Sequence, residues 1–131
     1  MKVVFGTDIF ISALTLPGGS AEEAAMRIIG DKDALLISHD IIDETLTVLA
    51  RTLSRDTEEL SRVAVNLAGF GIMVSPKVRL QVFQDAADNR ILECAVEGNA
   101  EAIVTGDRAM LAHKKHGAVR IISLSPQGVS G

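Results

Sequence analysis

One stretch decides the fold: Asp85-Ala-Ala-Asp-Asn-Arg-Ile-Leu-Glu-Cys-Ala-Val-Glu-Gly-Asn-Ala-Glu-Ala-Ile-Val-Thr-Gly-Asp107. We expect Asp88 to cap a helix and Gly98 to end it. The apolar residues of this helix fall at the spacing of one helical stripe: Ile91, Leu92, Ala95 and Val96. Residues 102–104 are apolar without alternation, which is typical of a parallel strand covered on both faces. The stretch therefore predicts a helix, a turn, a buried strand and an acidic strand end.

The rest of the chain alternates predicted strands with predicted helices. The strand candidates are short apolar runs, mostly rich in β-branched residues: 2–5, 34–37, 72–74 and 119–124. The helix candidates have apolar residues at helical spacing or a capping residue at the start: 9–14, 20–29, 39–53, 57–68 and 108–114. We expect Asp8, Ser38 and Asp56 to be caps, and Gly30 and Gly69 to end helices. Residues 76–84 show no clear pattern, and residues 125–131 are expected to be frayed.

This alternation with short connections predicts an α/β fold, a three-layer α/β/α sandwich around a parallel sheet of about four or five strands. The chain has 131 residues, of which 47% are hydrophobic. That size and composition suit one domain, residues 1–131, with a real core.

The composition excludes several classes of protein. A net charge of −4 argues against holding nucleic acid mainly by bulk electrostatics, and the absence of Trp and Tyr argues against a base-stacking platform. We therefore expect any nucleic acid to be held by its backbone. A single cysteine, Cys94, excludes an intramolecular disulfide and a thiolate metal cage. No apolar run reaches transmembrane length, so the expected location is the cytoplasm, with no membrane partner.

The acidic residues carry the functional prediction. Asp8 follows the first predicted strand, Glu44 lies in the helix after the second, Asp88 lies at a later helix start, and Asp107 follows the strand at 102–104. Because the carboxyl ends of parallel strands meet at one edge of a sheet, all four can meet there. Clustered carboxylates repel each other unless they take up protons or a cation, and oxygen ligands without His or Cys suit Mg²⁺ or Mn²⁺. Such an ion supports phosphodiester hydrolysis.

At these residues the chain resembles the PIN-domain nucleases, in particular the VapC-like toxins of bacterial and archaeal toxin-antitoxin pairs. The matching patterns are Asp-x-x-Asp-Asn-x-Ile-Leu-x-x-Ala at 85–95, Val-Thr-Gly-Asp at 104–107 and the acid in Ile-Ile-Asp-Glu-Thr-Leu at 41–46. The resemblance implies a Mg²⁺- or Mn²⁺-dependent ribonuclease, usually a dimer, silenced by a cognate antitoxin. Glu44, Asp88 and Asp107 match the metal-binding acids of the family.

The chain departs from the family pattern at two places. The first strand of the family usually ends Asp-Thr-Asn, with that Asp a central metal ligand, whereas this chain has Gly6-Thr7-Asp8. Since side chains i and i+2 of a strand point to one side, Asp8 is a candidate substitute for the missing acid. Ala109 stands where the family usually has a second Asp after Thr-Gly-Asp.

Other residues are predicted to support the site. Asp85 and Asn89 belong to the matching pattern, and Thr105 either orients a carboxylate or is an ordinary strand residue. Arg90 and Arg108 each lie within two residues of a proposed metal acid and are candidates for binding phosphate, although they equally offset the acids. The three histidines, His39, His113 and His116, show no ligand spacing and are interpreted as surface residues.

Each acid also has a plainer interpretation. Asp8 and Asp88 can be helix caps, Glu44 part of a solvated face, and Asp107 a turn residue. Three hypotheses follow from these alternatives. The chain is a metal-dependent endoribonuclease, or a PIN-like binding module that lost catalysis through Gly6, or a general α/β binding domain that responds to no divalent ion.

Overall fold

A computed structural model describes residues 1–16, 18–23, 27, 33–53, 56–125 and 128–129. Eight strands are found in the described part of the chain: β1 (Lys2–Phe5), β2 (Ala34–Ile37), β3 (Ile72–Met73), β4 (Ala102–Val104), β5 (Lys115–His116), β6 (Val119–Ile122), β7 (Leu124–Ser125) and β8 (Gly128–Val129). The helices with complete bounds are α1 (Thr7–Thr15), α2 (His39–Leu53), α3 (Thr57–Phe70), α4 (Ala86–Glu97) and α5 (Arg108–His113). Residues 20–23 are also helical, and most of the helix predicted over 20–29, with Gly30, lies outside the described residues.

The main sheet has six strands in the order β3-β2-β1-β4-β6-β5. Five of them are parallel, and only the short edge strand β5 runs antiparallel to its neighbour β6. The predicted α/β fold with a parallel sheet is therefore confirmed, and one antiparallel edge strand is added to it. The strands β7 and β8 form a separate antiparallel pair, so the described part of the tail expected to be frayed is paired instead.

The core lies on both faces of the central strands. Three consecutive residues of β1, Val3 to Phe5, are at most 1% exposed, and all three residues of β4 are fully buried. Because successive side chains of a strand point to opposite faces, this pattern requires packing on both sides of the sheet. Burial on both faces explains why these strands are apolar runs without alternation.

The predicted N-caps of α2 and α3 are confirmed. Ser38 Oγ accepts a hydrogen bond from Ile41 N at 3.3 Å, and Asp56 accepts one from Glu59 N at 2.8 Å, as expected of N-caps. The prediction that Gly69 ends α3 is wrong, because the helix continues through Phe70 and its C-cap is Gly71. The last predicted strand is also shorter, since β6 ends at Ile122. Among the described residues, none of the helices combines the length and apolarity needed to cross a membrane.

Candidate active site

The strand order creates a topological switch point between β1 and β4. From β1 the sheet grows through β2 to β3 on one side, and from β4 it grows to β6 on the other. Gly6 N donates to Val104 O at 2.8 Å, so the two strands stay paired up to their carboxyl ends. Open α/β sheets bind ligands in the crevice outside the carboxyl ends at such a point.

The predicted acids meet around one cavity at this crevice. The cavity has a volume of about 270 Å³, and Asp8, Glu44, Asp88 and Asp107 all line it. Asp8 lies in the first turn of α1, Asp88 lies in the first turn of α4, and Asp107 caps α5. The positive ends of these helices partly offset the repulsion between the carboxylates.

Asp88 is the most buried of the acids. Its side chain is 7% exposed, and burial raises the pKa of its carboxyl to about 7, with smaller contributions from the charges of Asp107, Asp85 and Asp8. The prediction that Asp88 caps the helix is wrong. Asp85 is the N-cap and accepts a hydrogen bond from Ala87 N at 2.9 Å, which leaves the Asp88 carboxyl facing the cavity.

Asp8 does not cap its helix either, because Gly6 occupies the N-cap position of α1. The Asp8 carboxylate instead accepts hydrogen bonds from Thr105 Oγ1 at 3.0 Å and from Gly106 N at 2.7 Å. The Thr105 hydroxyl in turn accepts a hydrogen bond from Asp107 N at 3.1 Å. Thr105 therefore orients a carboxylate and links the ends of β1 and β4.

Asp107 and Glu44 complete the cavity wall. One carboxylate oxygen of Asp107, Oδ1, accepts a hydrogen bond from Met110 N at 3.0 Å, as an N-cap should. Glu44 is half-buried in the second turn of α2. Asp107 thus has the plain role of a cap and still lines the acidic cavity.

Gly6 is a glycine for reasons of space. Its φ of −65° and ψ of 157° are open to any residue, so its backbone does not require glycine. A Cβ added at this position would lie 2.6 Å from Asp8 Oδ1 and 2.9 Å from Thr105 Oγ1. The Asp8 carboxylate therefore occupies the space that a side chain at position 6 would need.

The cavity has the chemistry of a site for a hard cation. Within the described ranges, no ion pair involves any of the four acids. The Thr7 hydroxyl oxygen is buried without a hydrogen-bond partner in the described structure, and Thr7 lines the same cavity. Oxygen donors of this kind fit Mg²⁺ or Mn²⁺. Among the described side chains, however, no three of His, Cys, Asp and Glu converge closely enough to hold an ion as they stand.

Comparison with known proteins identifies the family. The family model of the PIN domain matches residues 2–109. The chain belongs to the PIN-domain family. This confirms the resemblance drawn from the sequence patterns, and it includes the acids at positions 8, 44, 88 and 107 in the matched region.

A relative and a solved structure extend the comparison. An uncharacterized protein of Methanocaldococcus jannaschii is 26% identical over 116 residues, which cover 86% of this chain and 74% of that protein. A chain in the crystal structure of VapBC2 from Rickettsia felis, bound to a DNA fragment from its promoter, superposes with a TM-score of 0.67. That match covers 95% of this chain and 100% of the other at 13% identity, so it shows a shared fold.

The two predicted phosphate-binding arginines of this PIN domain differ in position. Arg108 is exposed at the start of α5, directly after Asp107. Arg90 is not brought to the acidic cavity, because its guanidinium donates to Leu80 O at 3.2 Å and pairs with Glu93 at 2.8 Å. Arg108 directly follows a proposed metal acid in the chain, but neither arginine is among the residues that line the acidic cavity.

Sequence reasoning missed how α4 holds the segment before it. The Asn89 side chain accepts hydrogen bonds from Val82 N at 2.9 Å and Phe83 N at 2.8 Å, and donates one to Phe83 O at 2.8 Å. One turn later, the buried Glu93 carboxylate accepts from Leu80 N at 2.7 Å. In the sequence, the only available signal was that Asn89 and Glu93 are polar residues spaced i, i+4 on one helix. In the structure these two side chains fix residues 80–83, which show no sequence pattern of their own.

The raised pKa of Asp88 predicts how the stability of the ion-free PIN domain depends on pH. The pKa of Asp88 in the folded protein, about 7, lies above its ordinary value of 3.8, so the stability that this group contributes is full below about pH 4 and is lost as the pH rises to about 7. Allowing for partial solvent screening, we expect a loss of about 1–2 kcal/mol. Urea unfolding in EDTA at pH 5 and pH 8 measures it. Asp88→Asn should remove this part of the pH dependence, and an equal dependence in that variant would contradict the assignment.

Proposed function

We propose that this PIN domain is a metal-dependent endoribonuclease that hydrolyses phosphodiester bonds of RNA. The observation that carries the proposal is the convergence of Asp8, Glu44, Asp88 and Asp107 on one cavity at the switch point of the sheet. Burial and mutual repulsion leave Asp88 hard to ionise, which is the condition that a bound cation relieves. A cation is therefore the expected partner of these acids.

The ion would be Mg²⁺ or Mn²⁺, held by Asp8, Glu44, Asp88 and Asp107. When bound, such an ion neutralises charge on a phosphodiester and lowers the pKa of a bound water. Because the acids do not converge tightly as they stand, we expect binding to draw their side chains together. The Thr105 hydroxyl and Gly106 N keep the Asp8 carboxylate oriented toward the other acids while this happens.

The remaining roles follow from position. Glu44 lines the cavity from α2 and has no ion-pair partner among the described residues, so it suits a ligand or a base that orients the attacking water. The Thr7 hydroxyl lines the cavity and has no hydrogen-bond partner in the described part of the chain, so it suits a hydrogen bond to a water there. Asp85 and Asn89 support the site by capping α4 and by fixing the residues before it. The exposed Arg108 is a candidate contact for the phosphate of the substrate.

We further propose that the protein is the toxin of a toxin-antitoxin pair. The support is the shared fold with a chain of the VapBC2 complex together with membership of the PIN-domain family. On this proposal a cognate antitoxin covers the acidic cavity, the toxin forms a homodimer, and both act in the cytoplasm.

A second candidate function is a catalytically impaired binding module. Gly6 favours it, because the acid that PIN-domain nucleases usually carry at this position is missing. Asp8 favours the nuclease, because its carboxylate fills the space in front of residue 6 and lies at the same cavity. The two functions differ in whether ion binding is accompanied by cleavage.

The test combines Mn²⁺ titration by calorimetry with a cleavage assay on labelled single-stranded RNA. The nuclease proposal expects saturable Mn²⁺ binding and cleavage that stops in EDTA and returns with excess Mn²⁺. Ion binding without cleavage would identify the impaired module. If neither binding nor cleavage is seen, the acids are structural and the proposal fails.

A further inference from the structure

A second and larger cavity opens beside the acidic one. Its volume is about 580 Å³, and it shares Asp85, Asp88 and Asp107 with the smaller cavity. Its other wall includes Phe83 and His113, whose rings meet edge to face with centroids 5.2 Å apart. Two aromatic rings, which we call the aromatic wall, therefore line the same cavity as Asp88 and Asp107, two of the acids proposed to support RNA cleavage.

Phe83 is fixed in this wall by the helix that carries Asp88. The Asn89 side chain, only 4% exposed, bonds both the N–H and the carbonyl of Phe83 and also the N–H of Val82. The Phe83 side chain is partly buried, packs against the hydrophobic core and also lines the cavity. A ring that its neighbours already hold loses little conformational entropy when a flat ligand stacks on the part of it that remains accessible.

The chain directly after the wall residue His113 is basic, whereas the charged residues that line the cavity itself are the acids Asp85, Asp88 and Asp107. Directly after α5 the chain reads His113-Lys114-Lys115-His116, and both lysines are exposed. The His116 ring stacks on His113 with centroids 6.1 Å apart and an interplanar angle of 25°. In a chain of net charge −4, exposed lysines that directly follow a residue of the aromatic wall suit a ligand that has both a phosphate backbone and a flat base.

We propose that the 580 Å³ cavity binds a nucleobase of single-stranded RNA, stacked on Phe83 and His113, next to the phosphodiester that the acids cut. This inference rests on the proposed ribonuclease function and adds two residues, Phe83 and His113, that would contact the substrate. A base inside a duplex cannot enter the cavity, so the preferred substrate is an unpaired nucleotide. This site departs from the sequence-based expectation that nucleic acid is held by its backbone, because it adds stacking of a base on Phe83 and His113.

Fluorescence anisotropy with a short labelled single-stranded RNA in EDTA tests the proposal without cleavage. Phe83→Leu keeps an apolar side chain but removes the stacking face, and it should weaken binding about tenfold, as expected for loss of one base–aromatic stack. His113→Ala should weaken binding in the same direction. Phe70→Leu is the matched control, because Phe70 is also exposed but lies on α3 and does not line this cavity, and its affinity should equal that of the unmodified chain.

RNAs carrying one abasic nucleotide at each position in turn make the test specific. One abasic position should weaken binding to the unmodified chain about tenfold and leave binding to Phe83→Leu unchanged, because the stack is already lost there. The proposal is overturned if Phe83→Leu and His113→Ala bind RNA as tightly as the unmodified chain, or if the unmodified chain does not bind RNA. It is also overturned if every abasic RNA affects both proteins equally while thermal unfolding shows the variants folded.

Failure of this inference and failure of the proposed function give different results. Base-dependent RNA binding without Mn²⁺ binding would retain the nucleobase site and remove the nuclease. Mn²⁺-dependent cleavage with no dependence on Phe83 or on abasic positions would retain the nuclease and remove the nucleobase site.

Discussion

Replacing Asp88 by asparagine is expected to abolish saturable Mn²⁺ binding and to lower RNA cleavage about 100-fold or more. Asp88 lines both cavities and is the most buried of the acids, and its pKa responds to the charges of Asp107, Asp85 and Asp8. Asparagine keeps the size of the side chain and removes only the charge. Calorimetric titration with Mn²⁺ and cleavage of labelled RNA, both at pH 8, measure the two effects.

The same substitution should make the ion-free protein more stable, which separates loss of function from loss of folding. At pH 8 the buried Asp88 is charged among other carboxylates, so asparagine should raise the free energy of unfolding by about 1–2 kcal/mol in EDTA. Asp43→Asn is the matched control, because Asp43 is exposed on α2 and does not line either cavity. It should leave Mn²⁺ binding and cleavage unchanged. Full Mn²⁺ affinity in Asp88→Asn would remove Asp88 from the set of ligands.

The sheet and the meeting of the acids were predictable from sequence because both depend on long-range regularities. Apolar strands that alternate with helices imply a parallel sheet, and a parallel sheet gathers the residues after its strands at one edge. Asp8 and Asp107 are each three residues past a strand end, so their place was fixed by the strand assignment alone. The positions of the other two acids, Asp88 and Glu44, were predicted from the sequence patterns that resemble the PIN-domain family.

The choice of capping residue was not predictable, because several residues in a row can cap. Asp85 and Asp88 have equal intrinsic ability to accept from free helix N–H groups. The structure selects Asp85, since a helix starting there turns Ile91, Leu92, Cys94 and Ala95 into the core and Asp88 toward the cavity. Packing energy over a whole helix outweighs about 1 kcal/mol from one cap.

The segment 76–84 could not be predicted for a related reason. It has no regular hydrogen-bonding pattern of its own, and its position depends on tertiary bonds from Asn89 and Glu93. Such bonds leave no periodic trace in the sequence. The aromatic wall at Phe83 therefore became visible only in the structure.

Because the Asp8 carboxylate occupies the space that a side chain at position 6 would need, we predict that positions 6 and 8 are coupled in a double-mutant cycle. Asp8→Ala removes a carboxylate from the cavity, and Gly6→Asp places a Cβ 2.6 Å from the Asp8 carboxylate. The second change forces that carboxylate away from Thr105 and Gly106, whose hydrogen bonds fix it. We expect each single variant to bind Mn²⁺ at least about tenfold more weakly than the unmodified chain. Gly6→Asp should also lower the free energy of unfolding by about 1–3 kcal/mol.

The double variant Gly6→Asp, Asp8→Ala should recover Mn²⁺ affinity to within a few-fold of the unmodified chain. With the Asp8 carboxylate removed, the nearest atoms to a Cβ at position 6 would be the Thr105 hydroxyl oxygen and Cβ, at 2.9 and 3.2 Å. The new acid then stands at the end of β1, one strand from Asp107. Calorimetric titration of all four proteins gives the coupling energy, which should exceed about 1.4 kcal/mol, a tenfold effect.

The sign of that coupling energy decides whether Asp8 replaces the acid that is missing at position 6. Recovery in the double variant would show that positions 6 and 8 supply one carboxylate between them, so Gly6 is the space that the acid at position 8 requires. Higher Mn²⁺ affinity in Gly6→Asp alone would show instead that Asp8 never replaced the missing acid, and the impaired binding module would be the better account. Because Gly6 has a backbone conformation open to any residue, neither result can be attributed to backbone strain at this position.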